Sequence, residues 1–169
     1  MNPKAKELSA LITILALFPT ASFADTRAGG EETITNVTLD NACDESTDVW
    51  EILDAEALTT TTHSNCIVTA CSDIANSSVA TTDNDYIFTI SLNDTSPGLN
   101  TPAERSLELS DNSTINDPSV WPVCSTRFIS IDPGTYTIYW LGCRASASDV
   151  STTVNDTSLT VGCFNNSEL

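Results

Sequence analysis

Cys124–Cys143 reads CSTRFISIDPGTYTIYWLGC, and its pattern decides the fold. After Gly134, the residues Tyr136, Ile138 and Trp140 alternate with Thr135, Thr137 and Tyr139. A period of two marks a strand with one buried face. Before the turn, Phe128, Ile129 and Ile131 form a short apolar run that suits a strand better than a helix. Between the two runs, Pro133 fixes φ near −65° and Gly134 accepts positive φ, which suits a type II turn.

Two arrangements compete for this stretch. A hairpin would place Ile131 opposite Tyr136, Ile129 opposite Ile138 and Cys124 opposite Cys143. A corner would carry the chain from one sheet of a sandwich into the other. Tight hairpins prefer primed turns, so the turn chemistry favours the corner, while the side-chain matching favours the hairpin.

The run RFISIDPGTYTIYWLG resembles the central strands of the jelly roll shared by the tumour-necrosis-factor and complement globular-head families. Ser158-Leu159-Thr160-Val161 is similar to their closing strand. The resemblance covers mainly residues 126–143 and 158–163. It implies a homotrimer assembled through the aromatic strand around Tyr136, Ile138 and Trp140. The chain departs from the family in the short interval before the closing strand, where a complete jelly roll is expected to need further strands.

Elsewhere the same signals recur. Tyr86, Phe88, Ile90 and Leu92 share one face of an amphipathic strand, and Cys66, Val68 and Ala70 share one face of another. Thr33–Leu39, Arg105–Leu109 and Leu159–Cys163 suit further strands, with Val150–Val154 available to pair with the last. Asp48–Leu58 is ambiguous: Val49, Ile52, Leu53 and Glu56 fall at helical spacing, yet Trp50-Glu51-Ile52 also alternates. Seven to nine short strands separated by turn signals predict an all-β, antiparallel, jelly-roll-like sandwich.

The N-terminal segment reads as an export signal. Lys4 and Lys6 precede the apolar run Leu8–Phe18, which is too short to span a bilayer, and Ser22-Phe23-Ala24 suits cleavage after Ala24. The expected organisation is a signal peptide over 1–24, a flexible leader over 25–32 and a single β-sandwich domain over 33–169. The expected location is extracellular or periplasmic, without membrane insertion once the signal is removed. All six cysteines follow the signal, which suits disulfides in an oxidising compartment. The expected pairs are Cys66–Cys163 and Cys124–Cys143, leaving Cys43 for Cys71. Their spacing fits no zinc pattern.

A formal net charge of −17 speaks against nucleic acid and anionic membranes as partners and suits solubility in a salty medium. It also raises calcium, the one ion for which the loops carry suitable oxygen ligands, at Asp83, Asp85, Asp111 and Asp117. No other cofactor is expected. Asn-x-Ser/Thr sequons start at Asn36, Asn76, Asn93, Asn112, Asn155 and Asn165; the compact signal reads as bacterial, which discounts them.

No catalytic constellation stands out. His63, the single histidine, lies in the polar stretch TTTTHSN without a nucleophile elbow and reads as a solvent-exposed loop residue. Trp50, Trp121, Tyr139 and Trp140 could stack on sugars. Trp121, between Pro118 and Pro122 in an expected loop, is the ligand-binding candidate. The first reading is thus a secreted, non-catalytic, disulfide-stabilised β-sandwich with a structural, adhesive or binding role among surface proteins. A carbohydrate-binding module is the alternative, and a hydrolase using two carboxylates stands behind both.

Overall fold

A computed structural model describes residues 26–28, 36–43, 49–75, 84–99, 104–109, 120–146 and 151–165. These residues form nine strands and no helix: β1 (Thr26–Ala28), β2 (Val37–Leu39), β3 (Glu51–Thr60), β4 (Ser64–Ala75), β5 (Asn84–Leu92), β6 (Arg105–Leu109), β7 (Val120–Ile131), β8 (Gly134–Arg144) and β9 (Thr152–Asn165). They make two antiparallel sheets. One has the order β1-β9-β4-β7, with β2 also on β9, and the other the order β3-β8-β5-β6. Counted from β2, the orders 2-9-4-7 and 3-8-5-6 are the interleaved Greek keys of a jelly roll. In this topology β8 and β9 follow one another directly, so the short interval before the closing strand leaves nothing out.

The Asp132–Gly134 turn is a corner, though not through the expected type II turn, since Gly134 does not take a positive φ. It takes the chain from β7, at the edge of one sheet, to β8, inside the other. That geometry decides the cysteines. Cys124 cannot face Cys143 across a hairpin, because the two strands lie in different sheets. Instead β7 pairs with β4 and sets Cys124 directly opposite Cys71, to which it is bonded. Cys143, on the outward side of β8, is bonded to Cys43. Of the expected pairs, Cys66–Cys163 is present, joining directly opposed residues of β4 and β9.

The main core fills the space between the sheets. Val68, Ala70, Ile74, Phe88, Ile90, Ile138, Trp140, Leu159 and Val161 are all buried within it. Ile138 and Trp140 therefore point into the monomer's own core, and the aromatic face proposed for a trimer is occupied. The Phe88 and Trp140 rings stack at 5.6 Å, and Trp140 Nε1 donates across the sandwich to Ser72 Oγ at 2.6 Å. A second, smaller core lies on the outer side of β8, where Cys43, Trp50, Leu141 and Cys143 are buried together.

Residues 51–60, ambiguous in the sequence, form a strand. β3 runs along β8 with a bulge between Ile52 and Asp54, and Leu53 and Leu58 reach the core. The bulge breaks the alternation that would have signalled a strand. Thr26–Ala28, read as part of the leader, pairs with Val161–Cys163 of β9, beyond the stretch of β9 that β2 covers. Val154 and Leu159 belong to one strand, carried through an irregularity where Asp156 adopts a φ of 46°.

Candidate functional site

The site is on the outer face of β4, β7 and β9. Along β7 the inward positions are Val123, Ser125, Arg127, Ile129 and Ile131, so Cys124, Thr126, Phe128 and Ser130 face outward. Arg127 is held inward by donating from Nη1 to the Ile90 carbonyl at 2.7 Å. On β4 the outward set includes Asn65, Ile67 and Thr69, and on β9 it includes Thr160, Gly162 and Phe164.

Register gathers the apolar members of these sets. Ile67 lies opposite Phe128 on one side and Gly162 on the other; Asn65 lies opposite Ser130 and Phe164. The result is a groove of about 320 Å³ lined by Asn65, Cys66, Ile67, Phe128, Ile129, Ser130 and Phe164. Phe128 is 76% exposed and Phe164 56%. Gly162 keeps the space beside Ile67 clear, since a Cβ there would meet no atom within 4 Å. The lining is apolar with two polar groups, the Asn65 amide and the Ser130 hydroxyl, and carries no carboxylate. A hydrolase built on two facing carboxylates has no support in this groove.

At the corner end of the groove, three segments converge. His63, in the β3–β4 connection, contacts Asp132 Oδ1 through Nδ1 at 3.0 Å and Ser130 Oγ through Nε2 at 3.1 Å. The Asp132 carbonyl is fixed by two hydroxyl donors, Thr60 Oγ1 at 3.0 Å and Tyr136 Oη at 2.9 Å. His63, an exposed residue of the connection, is thus also a member of an ordered constellation. Sequence reading missed it because the three residues are brought together by the β4–β7 register and the corner.

The tryptophan candidates fare differently. Trp50 is buried, with Nε1 donating to the Pro97 carbonyl at 2.8 Å, and Trp140 is in the main core. Trp121 is exposed, but in β7 opposite Ile74 rather than in a loop, and it is not among the residues lining the groove. Pro122 is accommodated there because β7 is an edge strand. Of the proposed calcium ligands, Asp83, Asp111 and Asp117 lie outside the described residues. Asp85 is on β5 opposite Glu108. Among the described residues, no three His, Cys, Asp or Glu side chains are grouped as a metal site.

No protein-family model matches the sequence, and no curated protein matches it. Solved structures with a similar fold include the sugar-binding EclA C-terminal domain and a family 35 carbohydrate-binding module from an environmental isolate. The first has a TM-score of 0.37 at 7% identity, over 76% of this chain and 79% of that one. The second has a TM-score of 0.31 at 16% identity, over 88% of this chain and 92% of that one. At TM-scores below 0.5, neither likeness bears on what this chain binds.

Proposed function

We propose that the protein is a secreted binding module whose recognition surface is the groove on the outer face of β4, β7 and β9. The observation that carries this is the exposed aromatic pair, Phe128 and Phe164, set around Ile67 on a face whose neighbouring outward residues include Thr69, Thr126 and Thr160. A few polar groups at the edge of an apolar concavity is the usual make-up of a small-molecule site. A carbohydrate fits it: a pyranose offers an apolar ring face to an aromatic side chain, and its hydroxyls meet Asn65 and Ser130. The neutral lining suits a neutral saccharide. The disulfides suit an oxidising, extracytoplasmic setting.

The test is calorimetric titration of the oxidised protein with a panel of neutral oligosaccharides. Phe128→Ala is expected to weaken binding tenfold or more, a loss of about 1.4 kcal/mol. Gly162→Leu, which places a side chain in the groove, is expected to block it. Trp121→Ala should bind as the parent does. Binding that survives both groove variants, or no binding by the parent, would remove this reading.

A further inference from the structure

The geometry points to a further activity at the rim of the groove: Ser130, His63 and Asp132 form a nucleophilic relay that transfers small acyl groups from esters. The relay has the connectivity such chemistry requires. With the proton on Nδ1, His63 donates to Asp132 Oδ1 and accepts the Ser130 hydroxyl proton at Nε2, so both observed contacts are satisfied by one tautomer. Asp132 is a positioning residue. Its backbone is pinned by Thr60 and Tyr136, so its carboxylate is presented by a braced corner.

Ser130 lines the groove, so its hydroxyl meets whatever occupies it. Phe128 and Ile67 offer an apolar seat for a short acyl chain. Asn65 lies directly opposite Ser130 on β4 and lines the same groove.

The reaction balances without a cofactor. Ser130 Oγ bonds to the ester carbonyl carbon while its proton passes to His63 Nε2. The tetrahedral oxyanion collapses, the carbon–alkoxide bond breaks, and the alkoxide leaves with the proton from Nε2. Water then attacks the acyl-serine, delivering a proton to Nε2, and collapse releases the carboxylic acid and returns the proton to Ser130. His63 is 45% exposed and Asp132 85%, so water screens the developing charges and the acceleration is modest compared with a buried triad.

The test uses the oxidised protein with two probes: a fluorophosphonate, followed by intact mass and peptide mapping, and p-nitrophenyl butyrate. The expected result is a single adduct on Ser130 and ester hydrolysis lost in Ser130→Ala. His63→Gln should lower both rates about 100-fold, the lower end of general-base effects. Asp132→Asn should lower them less, with partial recovery in Asp132→Glu. Labelling of Ser130 no faster than of other serines, or rates unmoved in His63→Gln, overturns the relay. Unchanged unfolding midpoints of the variants establish that the fold is intact. The relay does not rest on saccharide binding, which is read separately by titration, so either can fail alone.

Discussion

Replacing Trp140 and Ser72, singly and together, measures how the two sheets are fastened. Trp140 is in β8 and Ser72 in β4, both buried, and the indole N–H donates to the serine hydroxyl at 2.6 Å across the sandwich. Ser72→Ala leaves that N–H buried without its acceptor, at a cost of about 1–3 kcal/mol. Trp140→Phe leaves the hydroxyl without its donor at a similar cost, and adds a cavity beside Phe88 worth about 1–2 kcal/mol. The double variant incurs the cavity but neither orphaned group, because both partners are gone. Its destabilisation should fall short of the sum of the single effects by about 2 kcal/mol or more, the two orphaned-group costs it avoids. Urea unfolding of the disulfide-intact protein, followed by far-UV circular dichroism, gives the three free energies. Additivity to within about 0.5 kcal/mol would refute the reasoning, since it would mean that the bond does not couple the sheets.

Two further outcomes follow from packing and burial. Gly142→Ala should destabilise by about 1–3 kcal/mol, read as a lower thermal midpoint, because the new Cβ meets Leu53 and Phe88 at 3.1 Å and Leu39 at 3.2 Å. Gly162→Ala, in open space, should lack that penalty. Partial burial raises the Asp54 carboxyl above its ordinary range, opposed by the Ala55 N–H it accepts. The folded state therefore holds that proton more tightly than the unfolded chain, and stability is lost as pH rises through the ordinary carboxylate range to the raised value. Asp54→Asn should thus be slightly more stable than the parent at pH 7, with the difference closing in acid. A difference that widens in acid would reverse that assignment.

The parts of the fold legible in the sequence are those set by local geometry. Tyr86, Phe88 and Ile90 fall on one side of a strand because alternation is built into the extended chain, and all three are buried. Pro133-Gly134 signalled the corner by disfavouring a tight hairpin, although the type II turn itself does not form, since Gly134 does not take a positive φ. What depends on register was not legible. Cys124 meets Cys71 through the pairing of β7 with β4, and no local signal specifies that partner. Phe128 and Ile129 adjoin in one apolar run, which by itself does not say which of them faces the core. Ile129 and Ile131 share one side of the strand, however, which sends Phe128 to the other, and inward-facing Arg127 masks the alternation. Ser130, His63 and Asp132 come from separate segments and acquire their arrangement only when β4, β7 and the corner are assembled.

The two outer faces of the sandwich are treated differently, and this bears on why the groove is the site. On the four-stranded sheet, outward Leu141 and Cys143 are covered: Trp50 and Cys43 pack over them, with the Cys43–Cys143 bond and the Trp50–Pro97 hydrogen bond holding that cover in place. On the five-stranded sheet the outward residues include Thr69, Thr126, Ser130, Ser158 and Thr160, which need no cover, and the Cys71–Cys124 bond. Exposed apolar residues lie at both ends of β7, Val120 and Trp121 at one and Phe128 at the other, and register gathers Phe128 with Ile67 and Phe164 into one groove. A lone exposed apolar residue is ordinary on any protein, but a contiguous patch calls for an occupant. Phe128, at 76% exposure, makes little of its contact with the fold. Its removal should leave the unfolding midpoint near that of the parent, so lost binding in Phe128→Ala would report on the groove and not on the sandwich beneath it.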